Sequence, residues 1–576
     1  MKALLFLIFL VLPFILHADS QDFISVSEVL PEMQGIAKTV FEGTAIQSFP
    51  IKVLGVLKNN KFSDNLVING ESVLIQASGP LIDKSGGIAA GMSGAPVYIK
   101  NRLLGALSAG WTLADHTVGL VTPIEDMMKL TYPPYMENGK SSGEVGLLEP
   151  PVKIKGKTYG KLELVRQVPA TAAEGVLYFY YAGSPLMVQG LRSNLIKVAG
   201  QLFPVFPSAT AYSSDKTKLV PGAALGVQIA RGDINITTLG TLTYYDEQRN
   251  LILAFGHPFL HKGEVDYFLS DAYIYHSFSS IDMPFKVGSP LELIGRVCQD
   301  RQQGIVGLVG EKPRTIPVKF QVKDLDQNLT RQINVDIVSD TQLLSDVLNA
   351  MVKQALDETV NYIGPLSVES YFTIGYSVAG GSSALKYSNL YYSDNLSDTL
   401  CQDLLATVGL LTENEFKPVK IQKIDWQLSI TKKKRTARIT NVKFPSRNVI
   451  AGEVIGLNVT IKPFRANEFV KTVFLKLPED TSGSLNVAVR GGKNYRSSTD
   501  DKENFGSFEE IVQSAEQYPK YNDIVVSWSV PKDEGDTGEI QNSAVEPAPN
   551  SSNKVISTEY VLDGYFENLL IFNEVH

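Results

Sequence analysis

Cysteine is nearly absent from the 576-residue chain, with Cys298 and Cys401 the two present. Two thiols cannot build a disulfide framework or a four-thiolate metal site. Histidine is scarce as well, at six, so imidazole chemistry has few places to sit. Basic charge is short: 53 Lys and Arg against 61 Asp and Glu give a net charge of -8. No surplus exists to neutralise a phosphate backbone, and nucleic acid is not an expected partner. Long apolar runs are missing beyond the first residues, and no later segment reaches the ~20 residues of a spanning helix. Gly (46) and Pro (29) suit a turn-rich β protein and are too few for a collagenous or low-complexity chain.

Met1 to Ala18 carries one Lys2, an apolar run from Ala3 to Leu16 broken by Pro13, and small residues at Ala18 and Ser20. This pattern reads as a signal peptide over 1–18, with an uncleaved anchor as the alternative. The expected destination is exported, periplasmic or extracellular, with no membrane span after signal removal. In an oxidising compartment Cys298 and Cys401 can pair or remain as buried thiols.

Short apolar runs punctuated by Gly, Pro, Asn and Asp predict a mainly β fold. Ile51 to Leu57, Ser72 to Ala77, Pro96 to Ile99 and Leu103 to Ser108 are four such runs in a first β region, followed by the loop-rich Pro133 to Pro151. A second β region runs from about Val152 to Val338. Asp340 or Thr341 then caps a helix whose Leu344, Val347, Leu348 and Met351 share one face, and a second helix covers Ser397 to Leu411. After Phe416, alternation at Ile424, Trp426, Leu428 and Ile430, and again at Ile455, Leu457, Val459 and Ile461, predicts an antiparallel sandwich. Lys432 to Arg435 reads as a solvated hairpin, Ser507 to Gln517 as a short amphipathic helix, and acidic residues 531–553 as a mobile loop.

The most informative stretch is Gly86-Gly-Ile-Ala-Ala-Gly-Met-Ser-Gly-Ala-Pro96. A nucleophilic serine needs its hydroxyl exposed on a sharp turn, with backbone N–H groups converging where the tetrahedral oxygen will sit. Gly91 and Gly94 permit such a turn around Ser93, and the amides of Gly91 and Ser93 are the natural oxyanion donors. The tetrapeptide alone is common. Its context is not: a Pro, a short strand, an Asn-containing hairpin turn and a second strand surround the nucleophile in chymotrypsin-like double barrels.

The chain resembles the SpoIVB peptidase family of serine peptidases. Three blocks carry the resemblance: Gly86 to Pro96 with Gly119-Leu-Val-Thr-Pro-Ile-Glu-Asp126; Leu239-Gly-Thr-Leu-Thr-Tyr-Tyr-Asp246 with Ala254-Phe-Gly-His-Pro-Phe-Leu260; and Gly295-Arg-Val-Cys-Gln-Asp-Arg-Gln-Gln-Gly-Ile-Val-Gly307. It implies that His257 is the general base, that Leu107, Trp111, Gly119 and Thr122 line the substrate pocket, and that a protein or peptide is the substrate. No cofactor or metal is implied. Founder-like members carry an aspartate well upstream of the Gly-Gly pair, whereas here the nearby carboxylate is Asp83. Asp83, Asp246 and Asp266 are all possible orienters, as is a dyad without one.

Ser93 precedes His257 by 164 residues, the reverse of the family founder's order. Geometry and not order defines such a site, so the expected fold is a permuted chymotrypsin-like double β-barrel. Its boundaries are 19–135 for the half with the serine and 136–338 for the half with the histidine. A helical joint over 339–415 and a β-sandwich over 416–576 follow. His116 beside Asp115 is the rival base, expected at the pocket rim. A zinc reading of His257, His261 and Glu264 is disfavoured because Pro258 and Gly263 prevent the helix that would align the two imidazoles. His276 has no further signal. The reading is an exported serine endopeptidase. Its alternative is a catalytically silent binding or envelope-scaffold protein, with the sandwich offering a surface for an envelope partner.

Overall fold

The computed structural model describes residues 22–57, 71–111, 115–132, 144–164, 173–181, 183–191, 195–198, 201–208, 218–360, 364–444, 448–479, 483–495, 505–529 and 554–572. The segments expected as a signal peptide over 1–18 and as a mobile loop over 531–553 lie outside them. The chain divides into two compact units. Unit 1 is Met1–Gln189, Leu202–Ile229 and Asn235–Pro313; unit 2 is Gly190–Gln201, Ala230–Ile234 and Arg314–His576.

Unit 1 is mainly β. Strands β1 (Gln34–Val40), β2 (Ile46–Leu57), β3 (Ser72–Ala77), β4 (Pro96–Ile99), β5 (Arg102–Trp111) and β6 (Val118–Pro123) pair in the order β1-β4-β5-β6-β3-β2, and β2 returns to β1. The result is a closed six-stranded barrel. Alternation makes it close around a core: in β2, Phe49, Ile51 and Val53 are buried while Ser48 and Pro50 face out. They pack with Val73, Ile75, Val97, Leu104 and Val121. Lys100 and Asn101 turn β4 into β5 with φ of 50° and 62°, the doubly left-handed geometry of a tight hairpin.

A second series of six strands runs Asn235–Asp246, Leu251–Ala254, Gly304–Val309, Phe285–Arg301, Gly263–Phe278 and Ala224–Gly232 in pairing order, and the last pairs with the first. The expected double-barrel architecture is therefore present, serine half first. Within the expected loop Pro133 to Pro151, residues 144–151 form the start of a strand, Glu144–Ile154, paired with Lys157–Leu164.

In unit 2, Asp340 caps the helix Thr341–Thr359 through a 3.0 Å bond from the Leu343 amide. A second helix covers Leu396–Thr412. Between them lies a long hairpin, Leu366–Val378 with Gly381–Ser393, so the segment expected to be a helical joint holds strands as well. Lys420–Thr431, expected to open the sandwich, instead lies between Thr315–Asp324 and Leu366–Val378. Trp426 explains the placement: it is fully buried opposite both Phe320 and Phe372, and its Nε1–H donates to Ser370 Oγ at 2.9 Å. The sandwich proper pairs a four-stranded with a five-stranded sheet around Leu457, Val459, Ile461, Val473, Val487, Val489, Ile524 and Leu570. No helix among the described residues is long and apolar enough to cross a membrane.

Candidate active site

The serine turn hangs between the helix Pro80–Ser85 and β4. Gly86 ends that helix in the left-handed region at φ 76°, and Gly91 and Gly94 adopt φ of 95° and 90°. A side chain is disfavoured at both positions. The amides of Met92, Gly94 and Ala95 donate to the carbonyls of Ala89, Leu107 and Met92. Those of Gly91 and Ser93 have no acceptor among the described residues. The turn thus keeps two amide donors unengaged, the kind of group on which an oxyanion site draws. Ser93 itself is fully buried, and its Oγ has no hydrogen-bond partner among the described residues. This departs from the exposed hydroxyl expected of the turn.

The other half of unit 1 grips the turn from beneath. The Thr241 amide donates to the Ser93 carbonyl at 2.7 Å, and the Thr243 hydroxyl to the Gly94 carbonyl at 2.8 Å. The segment Phe255-Gly256-His257 lies against the same residues. A Cβ on Gly94 would stand 2.5 Å from the Phe255 nitrogen, and one on Gly256 would stand 2.7 Å from the Ala106 Cβ. Phe255 takes φ 69°, unusual for an aromatic residue and a mark of a conformation held by its surroundings. Its ring covers Gly240, where an added Cβ would meet ring carbons at 2.2 to 3.0 Å. The sequence blocks around Leu239 and Phe255 therefore read as a unit because they pack as one.

His257 is 3% exposed. Its Nδ1 lies 2.7 Å from the Pro258 carbonyl oxygen, which can only accept, so Nδ1 carries the proton and Nε2 is the basic nitrogen of the neutral ring. Burial lowers its pKa to about 4, against the opposing Pro258 hydrogen bond. The imidazole edge passes Gly183, where a Cβ would stand 3.7 Å from Nε2. Asp300, also buried, accepts from the amides of Phe259 and Leu260 at 2.7 and 2.8 Å, and pins the chain just after the histidine. The Thr122 hydroxyl donates to the Gly256 carbonyl at 2.7 Å.

The other expected residues fall as follows. Asp83 is exposed on the helix before the turn, Asp246 pairs with Arg249 at 2.7 Å and Asp266 with Arg296 at 3.6 Å. Leu107 is buried with Ile88 and Met92 in the first barrel's core, Gly119 is closed over by Ile88 and Leu107, and Trp111 packs edge-on to Tyr159. Of the four pocket candidates, Thr122 is the one bonded to the histidine segment. His116 turns its nitrogens to the carbonyls of Trp111 and Ile281, and His276 is exposed beside Phe278. Among the described residues no group of His, Cys, Asp and Glu is placed to hold a metal ion. Burial pushes the free thiols of Cys298 and Cys401 up to about 11 and about 12, which leaves them poor nucleophiles. Gly183, Thr241 and Asp300 escaped sequence reading; the Leu239 to Asp246 and Gly295 to Gly307 blocks were the signal for the latter two.

Two barrels, with a glycine-flanked serine on a strand-joining turn of the first and a neutral imidazole on a segment of the second packed against that turn, have the layout found in serine peptidases with double barrels. Residues 18–128 match the family model of the SpoIVB peptidase S55. The match covers Ser93 and Gly119 to Asp126 and ends before the His257 block, so over that segment the resemblance to SpoIVB peptidases holds. No curated protein and no solved structure matches the chain.

Proposed function

We propose that the chain is an exported serine endopeptidase acting through an acyl-enzyme. His257 Nε2 takes the Ser93 Oγ proton as Oγ attacks a peptide carbonyl carbon. The carbonyl oxygen gathers negative charge, and the Gly91 and Ser93 amides donate to it. Collapse expels the amine, which takes the proton from His257, and water repeats the sequence on the ester to release the acid. Pro258 supplies through its carbonyl the tautomer-fixing role that an aspartate plays in a triad. The observation that supports the reading is a turn whose Gly91 and Ser93 amides have no acceptor among the described residues, packed at Gly94 against the Phe255 backbone two residues before His257.

The burial of Ser93 and His257, 0% and 3% exposed, favours a second reading: a silent barrel that serves as an envelope scaffold, with the sandwich binding a partner. Incubation of the chain with unfolded proteins, with new termini read by mass spectrometry, separates the two. Termini that vanish with Ser93→Ala support the peptidase. Their absence, also after limited proteolysis to open the site, hands the chain to the scaffold.

A further inference from the structure

Lys286, on the strand Phe285–Arg301, is fully buried. Its Nζ donates to Thr39 Oγ1 at 2.7 Å. Thr39 Oγ1 lies 3.0 Å from Thr241 Oγ1, and the Thr241 hydroxyl donates to the Gly91 carbonyl at 3.3 Å. The lysine methylenes run beside Gly91, where a Cβ would stand 3.2 to 3.5 Å from Lys286 Cβ, Cγ and Cδ. The backbone of the same residue completes the grip: the Lys286 amide donates to the Ala90 carbonyl at 2.8 Å, and the Ala90 amide to the Pro284 carbonyl at 2.7 Å. The Ala90 carbonyl and the Gly91 amide share one peptide plane. Whatever holds that carbonyl also aims the Gly91 N–H.

An ammonium has three protons to donate, and among the described residues one acceptor meets it. The groups facing it are Thr39 of β1, Thr241 of Asn235–Asp246, Gly91 of the turn and Ser277, opposite it on Gly263–Phe278. None is charged. Lys38 of β1 extends over the Tyr98 ring, and His276 sits at the surface. Burial alone lowers the Lys286 pKa to about 7, with no contribution from His257 or any carboxylate.

We propose that Lys286 is a positioning residue for the oxyanion turn: its side chain, through Thr39 and Thr241, holds the Gly91 carbonyl while its backbone amide holds the Ala90 carbonyl, so that both peptide planes of Gly91 keep the orientation that catalysis at Ser93 needs. The inference rests on the peptidase reading. A proton on the amine adds donors that the pocket cannot satisfy, which disturbs the Gly91 carbonyl at the end of the chain. Ser93 reactivity therefore falls below neutral pH in a step separate from the titration of His257.

The test is the rate of Ser93 labelling by a fluorophosphonate across pH 5 to 9 in the full chain, for wild type, Lys286→Met, Thr39→Val and the double variant. Lysine-directed 13C NMR follows the Lys286 Cε. Lys286→Met should fold, label on the order of 10–100-fold more slowly, less than the loss of a whole oxyanion donor, and lack the step near neutrality. The double variant should be no slower than Lys286→Met, as expected of residues that act in one chain. Unchanged rate and profile in Lys286→Met, or a Cε that titrates near 10 as a surface lysine does, overturns the inference and leaves the peptidase reading standing. Absence of Ser93-dependent labelling in the wild type overturns both.

Discussion

Gly94 and Phe255 approach so closely that a single methyl group on Gly94 would stand 2.5 Å from the Phe255 nitrogen and 1.9 Å from the Thr241 carbonyl oxygen. This contact joins the residue after Ser93 to the residue two before His257. The Gly after Ser93 should therefore admit no substitute: φ is 90° and backbone atoms, which cannot swing aside, fill the space.

Gly94→Ala should therefore destabilise the chain by more than about 3 kcal/mol and abolish soluble expression or lower the melting temperature sharply. Gly43→Ala is the control. It shares a positive φ of 69° but has nothing within 4 Å of its Cβ position, so its cost should stay at about 1–2 kcal/mol. Equal melting temperatures for the two variants would contradict the packing described.

His257 should make stability depend on pH. Its folded pKa of about 4 lies below the ordinary 6.5, so between these values the unfolded chain binds more protons. Stability then rises with pH through that window and is lost as pH falls from about 6.5 to about 4, by about 3 kcal/mol in all. Urea unfolding at several pH values checks this: His257→Gln should remove that part of the slope, with all other titrating groups common to both chains. Parallel curves for the two would show that the imidazole is not buried neutral.

Asp300 is expected to act on the site through the backbone. Asp300→Ala leaves the Phe259 and Leu260 amides without their acceptor, at about 1–3 kcal/mol each. Asp300→Asn keeps one acceptor oxygen and should cost less. Thermal melts give the ranking, and fluorophosphonate labelling should fall in the same order in the protein that remains folded. Wild-type labelling in Asp300→Ala would detach this carboxylate from the function of the histidine.

Sequence reading reached as far as local rules extend. The turn around Ser93 was legible because glycines at two fixed offsets announce positive φ, and the turn at His257 because Gly256 and Pro258 stand at a strand end. The barrel strands were legible as short apolar runs between turn signals, as in Ser72 to Ala77 and Pro96 to Ile99. The burial of Ser93 was not, since covering it depends on residues remote in sequence. Lys286 was hidden for the same reason: a single lysine in an ordinary strand becomes a buried amine only when register sets it against β1 and the serine turn. Trp426 shows the limit for domain borders. Its alternation marked a strand correctly, but its partners Phe320 and Phe372 lie before the segment assigned to the sandwich.

The most direct test of the account is to label the full chain with a fluorophosphonate and map the adduct by peptide mass spectrometry. The account predicts one phosphonylated residue, Ser93, in native protein. The adduct should be absent after heat denaturation and in Ser93→Ala, and slowed on the order of 10³-fold or more in His257→Ala, as for loss of the base from a serine–histidine pair. An adduct on another residue, or Ser93 labelling that His257→Ala leaves unchanged, would contradict it.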